Sequence, residues 1–571
     1  MAPTEASSET FDVLIIGCGP VGLYAAYLLG RCGITTLIID KHTTRRGQPK
    51  AHALNPRTLE IFKQTGLDPS YIRNKGIDPR QVDVVRIVSS FYGWEFGQLP
   101  YERQFDDVKN LTPEPLVNVA QPLVEEYLAD QVAKLPSVTV RRGVEWLNAT
   151  SIEVGGQKHV QSVLRNREDA QESNAVSRFL IACDGARAAS RVVLNIGFNP
   201  VNAAYTTEKH HVTTHFEAAL TGKRTGILFF TMQPHGVRAF IRYGENEWVY
   251  VRRYDPETTS TATFDDATCR EMIFEALGRP EDVKILSTTL WTSSTKVADH
   301  YTSASVPNAF LAGDAAHTFP PTGGLGVNTG VGDVHNLVWK LVAVLNGTAT
   351  DELLQTYETE RRPVAVRNAQ QSALNEANMD RLGQTINPKG IQDGDGSNID
   401  WEDAKFKETV AQAIALNAQH FNSLALQLGY VYGESKDLEA ERAPVSDFVP
   451  RAVPGSRLPH VYISSAGPEK SILDLLSYVT FTLICPSSAL SESFQRMVAS
   501  GLPLQLSKML KVVVHGLDFE VKEGSWTSMV FGTSMTRAVL VRPDQHVAGF
   551  PESMDAVVEL LRSTLYMSQD I

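Results

Sequence analysis

Residues 308 to 333 read NAFLAGDAAHTFPPTGGLGVNTGVGD. A short apolar run ends in Gly313-Asp314, two prolines follow, and the next stretch holds too much glycine for a packed strand. That much bare backbone lets peptide N–H groups come close to a flat or anionic ligand. A second constellation lies in FDVLIIGCGPVGLYAAYLLGRCGITTLIID, residues 11 to 40. There Gly17-x-Gly19-x-x-Gly22 follows an apolar strand and opens a helical stretch, Gly33 stops the helix, and a second strand ends in Asp40. In a dinucleotide fingerprint the first glycine permits the turn, the second lets backbone approach a pyrophosphate, and the third lets helix and strand pack closely. The helix N-terminus adds free N–H groups and a positive dipole end. Asp40 can accept both ribose hydroxyls of an adenosine, a purpose that a merely structural glycine turn would not give it. Pro20 inside the motif and Lys41 beside Asp40 complete this part of the expected cofactor set.

Both FAD and NAD place an adenosine diphosphate on such a motif, so the choice rests on residues further along. RFLIACDGARAASR, 178 to 191, gives a strand ending in Asp184-Gly185, and 309 to 314 gives another ending in Gly313-Asp314. A glycine-rich loop then runs into a helix expected at 333 to 345. Asp314 suits a ribityl hydroxyl, and the N–H groups of loop 323 to 328, with Gly324, Gly326, Val327 and Asn328, suit the N1–C2 oxygen edge of a flavin. That edge becomes anionic on reduction, so N–H dipoles aimed at it ease electron uptake.

These motifs need a large scaffold to position them. With 571 residues the chain exceeds one core, and its length suggests three or four domains. Hydrophobic content of 43% and charge of 21% are those of a soluble globular protein. A formal net charge of −12, without clustered Lys and Arg, argues against a nucleic-acid partner. Five cysteines without paired spacing fit a reducing compartment, with neither a disulfide framework nor a zinc or other metal site expected. The polar opening MAPTEASSET, the glycine-broken apolar run after it and the lack of an apolar run of membrane-spanning length point to a cytoplasmic protein.

Taken in order, Gly17-x-Gly19-x-x-Gly22 with Asp40, Asp184-Gly185, and Gly313-Asp314 with Pro320-Pro321-x-Gly-Gly resemble the three signatures of single-component flavoprotein aromatic hydroxylases. That group of class A flavoprotein monooxygenases contains p-hydroxybenzoate hydroxylase and phenol hydroxylase. KAHALNPRTLEIFKQTGL, 50 to 67, and AQPLVEEYL, 120 to 128, resemble the helix after the second strand and the segment with the flavin-contacting glutamine, here Gln121. RAVPGSRLPH, 451 to 460, and RAVLVRPDQHVAGF, 537 to 550, resemble the extra thioredoxin-like domain of the phenol hydroxylase branch, with Phe550 where relatives often carry a basic residue. No Cys-x-x-Cys occurs, so a redox role for that domain is not expected, and a packing or dimerisation module is.

The resemblance implies an α/β protein with a Rossmann-type FAD-binding domain, an antiparallel β substrate domain and a thioredoxin-like domain. Its parts would be 11–195 for the first FAD-binding portion, with 80–110 contributing to the substrate domain, 196–304 for the β-rich substrate domain, 305–370 for the second FAD-binding portion, 371–445 for a helical linker with a polar loop at 387–400, and 446–571 for the last domain. It also implies a homodimer whose cofactors are FAD and NADPH or NADH, the latter without a domain of its own. NADPH would reduce the flavin, dioxygen would add to give a C4a-hydroperoxide, and oxygen would pass to a phenolic or polyketide-like aromatic. Baeyer–Villiger, epoxidising or decarboxylative outcomes use the same scaffold, and a flavin dehydrogenase or reductase is the alternative of another class.

Phenol hydroxylase places an aspartate, an arginine and a tyrosine around the substrate hydroxyl; the similar segments put His52, Arg242 and Tyr250 at these positions. His52 could serve as base near neutral pH or be a hydrogen-bonded helix-start residue. Arg242 and Tyr250 share a sheet face only if the hairpin loop holds three residues; with four, Arg242 lies on the other face, and with the opposite parity Tyr243 joins Tyr250. His235 and Arg238 are further polar candidates, and the carbonyl of Pro321 matches a substrate contact of the family. Lys50 stands for an arginine that reaches the flavin pyrophosphate, without the bidentate fork, and Leu325 replaces a polar residue of the glycine loop.

Overall fold

The computed structural model describes residues 9–44, 47, 50–102, 105–202, 208–220, 225–234, 236–387, 402–433, 444–464, 470–489, 492, 493, 496 and 507–567. His235 and, apart from Asn387, the polar loop 387–400 lie outside the described residues.

In chain order the elements used below are β1 (Glu9–Ile16), α1 (Pro20–Arg31), β2 (Thr36–Asp40), α2 (Pro56–Gln64), β3 (Val84–Val88), β4 (Glu95–Pro100), α3 (Gln121–Val132) and β5 (Val138–Arg142). They continue with β6 (Val144–Val154), β7 (Gln157–Asn166), β8 (Glu172–Ala182), β9 (Lys209–Glu217), β10 (Leu228–Gln233), β11 (Gly236–Arg242), β12 (Glu247–Tyr254), α4 (Asp266–Leu277), β13 (Lys284–Ser293) and β14 (Ala309–Leu311). Last come α5 (Gly326–Leu345), α6 (Thr356–Ile386), β15 (Phe481–Cys485), β16 (Leu510–Val514), α7 (Gly524–Phe531), β17 (Val539–Val541), β18 (Val547–Gly549) and α8 (Met554–Leu565).

The first sheet has the order β5-β2-β1-β8-β7-β6, with β14 also on β8. Pairing is parallel between β2 and β1, β1 and β8, and β8 and β14. Ile16 pairs with Ile39 on one side and Ala182 on the other, and Ala182 pairs with Leu311. The Gly17 turn, Asp40, Asp184 and Gly313 therefore leave their strands at one level, along one edge of the sheet. Ligands of open α/β sheets bind in the crevice outside such carboxyl ends. Helix α1 buries ten consecutive residues, Val21 to Gly30, because the sheet, α3 and α5 cover it together.

The second sheet, β13-β9-β12-β11-β10-β3-β4, has at one end two adjacent strands, β3 and β4, from the N-terminal part of the chain. One face packs Val212, Phe240, Trp248 and Tyr250 against Cys269, Met272 and Ile273 of α4. The other packs Phe230, Met232, Val237 and Ala239 with Met379, Leu382 and Ile386 of α6. The C-terminal sheet, β16-β15-β17-β18, pairs β15 and β16 in parallel and its other neighbours antiparallel, with α7 and α8 in the β-α-β-β-α order of a thioredoxin-like unit.

Burial lowers the pKa of several histidines: His211 and His420 to about 3, His460 and His546 to about 4, and His335 well below its ordinary value. Each is neutral when folded and gains a proton on unfolding, so below their ordinary pKa of about 6.5 the unfolded state binds more protons and stability falls as the pH is lowered. Glu102 acts the other way, since burial raises its carboxyl to about 7. Burial lowers His52 as well and raises Asp314, so six histidines stand against two carboxyls and set the sign. The thermal midpoint should be highest near neutrality and fall steadily from about pH 6.5 to 4.5; a flat or rising profile over that window in calorimetry would contradict this.

Candidate functional site

A Cβ on Gly17 would stand 2.4 Å from the Cys183 carbonyl oxygen, and one on Gly22 would stand 2.0 Å from that of Gly17, whereas nothing lies within 4 Å of one on Gly19. Packing thus dictates the first and third glycines, and the second faces open space at the helix start. Gly19 caps α1 without a side-chain hydrogen bond, which leaves the first N–H groups of the helix available to a ligand. Asp40 accepts the Cys18 N–H and the His42 N–H, each at 2.8 Å, so the carboxylate is fixed between the two turns. Lys41 and Lys50 are exposed at the rim. Asp184 is engaged by Ser190, whose Oγ donates to it at 2.6 Å and whose N–H donates at 3.1 Å.

On the opposite wall, the Gly313 N–H donates to Asp333 at 3.2 Å, and Gly313 has φ +61°. Asp314 is open to solvent at the floor of the cleft; the protein around it desolvates its carboxyl enough to raise the pKa, against the pull of His317 and Lys50. The Pro321 carbonyl accepts the Gly324 N–H at 3.1 Å, which closes a turn before α5.

That helix begins at Gly326, seven residues before the expected start at 333, so Gly326, Val327 and Asn328 form its first turn and are not loop. The glycines that resembled a loop serve helix packing: a Cβ on Gly330 would lie 2.6 Å from Val21 Cγ2, and one on Gly332 would lie 2.7 Å from an Arg361 Nη. Leu325 precedes the helix without a side-chain cap, so N–H groups of its first turn face the cleft unclaimed by a cap. The Asn328 side chain is a latch. It accepts the Asn55 N–H at 3.0 Å and the Thr58 hydroxyl at 2.7 Å, and donates to the carbonyls of Ala53 and Gly324. Gln121, the first residue of α3, accepts the Ala51 N–H at 3.2 Å. Pro20, His52, Ala53, Gln121 and Val327, drawn from four separate segments, line one cavity.

His52 Nδ1 lies 3.0 Å from Asn118 Oδ1, and its Nε2 has no hydrogen-bond partner among the described residues. Burial lowers its pKa, and the Asn118 contact opposes that only partly. A neutral ring with Nδ1–H donated to Asn118 leaves the Nε2 lone pair free to take a proton. The rings of Tyr101 and Tyr243 flank it at 6.3 and 5.8 Å, and the Tyr243 hydroxyl donates to the Lys50 carbonyl at 3.2 Å.

Arg242 and Tyr250 do share a sheet face, because Tyr243 pairs with Glu247 across a three-residue loop, but it is the face away from His52. Tyr250 is wholly buried in the α4 core beside Phe240, and Arg242 bonds the Gly244 carbonyl and Gln81. Arg238 lies on the same face as a partner of Glu275. The expected trio is therefore not brought together, and one step in register hands the position to Tyr243. Sequence reasoning passed over Tyr101, Asn118 and two groups on α6, the Ser372 hydroxyl and the Asn375 Nδ2, which are buried without a partner among the described residues. Asn375 Nδ2 would be 3.1 Å from a Cβ on Gly323, hence beside the glycine turn. Asn118 reaches His52 through a two-residue bridge of Ala53–Leu54 with Val117–Asn118, too short to leave a pattern in the sequence.

A family model described as "FAD binding domain" matches residues 10–372, and the chain belongs to that family. It is an FAD-dependent monooxygenase of the aromatic hydroxylase type. It is similar to the 2,4-dichlorophenol 6-monooxygenase of Cupriavidus pinatubonensis, 29% identical over 95% of this chain and 94% of the relative. The tetracenomycin A2 monooxygenase-dioxygenase of Streptomyces glaucescens is also 29% identical, over 98% of this chain and 97% of its own. Among solved structures, the flavin-dependent monooxygenase PieE in complex with FAD and substrate superposes with a TM-score of 0.88 at 28% identity, covering 98% of this chain and 99% of PieE. Among the described residues no helix is long and apolar enough to cross a membrane.

The open space at Gly19, the uncapped starts of α1 and α5, and Asp314 on the cleft floor fit an extended dinucleotide with a polyol arm. Asp314→Ala should therefore purify with little or no bound flavin. Stoichiometric FAD at unchanged affinity, measured by absorbance after gel filtration, would refute the ribityl assignment.

Proposed function

We propose that the protein is an NADPH-dependent FAD monooxygenase that hydroxylates a phenolic or polyketide-like aromatic, with His52 as the base that accepts the substrate's phenolic proton. Bound FAD supplies a two-electron acceptor for NAD(P)H and a means of activating dioxygen. The overall balance is one NAD(P)H, one proton, one dioxygen and one arene to NAD(P)⁺, water and the hydroxylated arene.

The observation that carries the reading is His52, held neutral, with Nδ1 on Asn118 and Nε2 open. Taking the proton from a phenol at Nε2 gives a phenolate, whose ortho and para carbons are more nucleophilic. The imidazolium so formed still donates from Nδ1 to Asn118 Oδ1. Tyr101 and Tyr243 fix the ring between them, and the α6-facing side of the second sheet supplies apolar walls that keep water from the reacting centre. Gly17, Gly19, Pro20, Gly22 and Asp40 would hold the adenosine diphosphate, and Asp314, the Pro321 turn and the first turn of α5 would hold the ribityl and flavin parts. The substrate class is supported by relatives named for a chlorophenol and for tetracenomycin.

With labelled dioxygen, the product should carry one labelled oxygen atom. His52→Ala should lower hydroxylated product per NADPH consumed by about 100-fold while flavin reduction continues, and Tyr250→Phe should leave both unchanged. Wild-type coupling should hold steady down to about pH 6.5 and fail only below it. Unaltered coupling and pH profile in His52→Ala would remove the base from the account.

A further inference from the structure

The turn between β17 and β18, Arg542 to His546, is inserted among helices of the N-terminal part. Asp544, Gln545 and His546 are almost wholly buried there, and Gln545 takes the left-handed conformation, φ +67°. A non-glycine residue held in that conformation is strained and persists where its surroundings over-determine it. The surroundings here are three helices. Arg57 of α2 donates to the Asp544 carbonyl at 2.8 Å and to the Gln545 side chain. From α5, Asn336 and Trp339 each donate to the Asp544 carboxylate at 3.2 Å. Arg542 forks onto Glu360 of α6 at 2.6 and 2.8 Å, and onto Asp544 as well. Burial works against ionisation of Asp544, but Arg542 outweighs it and keeps the carboxyl well below its usual range.

A second path leads from the turn to the cofactor cleft. The His546 ring stacks on Tyr432 at 4.1 Å, and the Tyr432 hydroxyl accepts Arg361 Nη1 at 3.1 Å. Arg361 Nε donates to Asp333 at 3.0 Å, and Asp333 accepts the Gly313 N–H. The helices gripped by the turn, α2 and α5, are the same two whose N-terminal ends Asn328 latches together beside His52. Buried ion networks stabilise little relative to apolar packing, because desolvation offsets their attraction, but removing one member leaves the others buried and uncompensated.

We infer that the Arg542–His546 turn is a positioning element of the flavin site: the C-terminal domain sets the relative placement of α2 and α5, and through it the cradle formed by Gly313, the first turn of α5 and the segment carrying His52. Asp544 and Arg542 are its positioning residues, and none of the turn touches the reacting atoms. The inference rests on the reading that residues 50–55 and 313–328 flank the flavin.

The test uses the full-length holoenzyme with Asp544→Asn and, as a variant that retains the turn, Gln545→Gly, which relieves the left-handed strain and removes a contact to Arg57. FAD dissociation constants and visible flavin spectra are measured beside circular dichroism and thermal unfolding. Asp544→Asn should weaken FAD binding by about tenfold or more and shift the flavin spectrum, with Gln545→Gly changing both in the same direction by less. If both variants keep FAD affinity within about twofold and an unchanged spectrum, whatever happens to the thermal midpoint, the turn is packing alone and the inference falls. Should Asp544→Asn fail to fold, Gln545→Gly decides by the same criterion. Retention of FAD by Asp314→Ala would instead overturn the placement of the cofactor on which the inference rests.

Discussion

Helices α1 and α5 have to bring their N-terminal ends to the carboxyl ends of the same parallel strands, and side chains at a few positions would prevent it. Val21 of α1 sits against both Gly313 and Gly330, and Gly22 lies on the Gly17 carbonyl. A methyl group at any of these would push a helix off the sheet edge, so this close approach decides where two uncapped helix ends can point. Asp40 and Asp314 then lie at strand ends on the rim and floor of one cleft, because the strands that carry them end in register. The shape of the candidate cofactor cleft follows from backbone geometry, and Asp40 and Asp314 add a carboxylate at its rim and at its floor.

Buried charge is the second organising feature. Asp333 has no solvent exposure, yet accepts from Gly313, His317 and Arg361; burial opposes its ionisation, and His317 and Arg361 outweigh that and hold its pKa low. It joins the cleft floor to α6, and Arg361 carries the connection on to Tyr432 and the C-terminal domain. Such groups add geometric definition to a region that apolar packing alone would leave free to slide.

Much of this was legible in the sequence, for identifiable reasons. The Gly17–Gly22 turn, Asp40 and Gly313-Asp314 announce themselves because a strand, a tight turn and an acidic end must be contiguous. The start of α5 is not legible, because Gly330 and Gly332 have the composition of a loop while their purpose is contact with Val21 and Arg361 from distant segments. The substrate side was harder. Arg242 and Tyr243 are adjacent, and only the length of one hairpin loop and the identity of the covering helix decide which of them meets His52. Asn118, Tyr101 and Asn375 come from three further segments, and nothing local marks them. The plug at Arg542–His546 reads as a simple hairpin turn until its partners on α2, α5 and α6 are in view.

If, as proposed, this FAD enzyme takes its electrons from NAD(P)H and directs them to an aromatic substrate, the pyridine nucleotide must reduce the bound flavin and an aromatic must control that step. The most direct test is the anaerobic rate at which NADPH bleaches the bound flavin, with and without a panel of phenols and polycyclic aromatic ketones. The expected result is slow bleaching by NADPH alone and an acceleration of about tenfold or more by at least one aromatic, which would also identify the ligand class. Flavin that neither NADPH nor NADH bleaches under any of these conditions, but that an organic donor reduces directly, would contradict it.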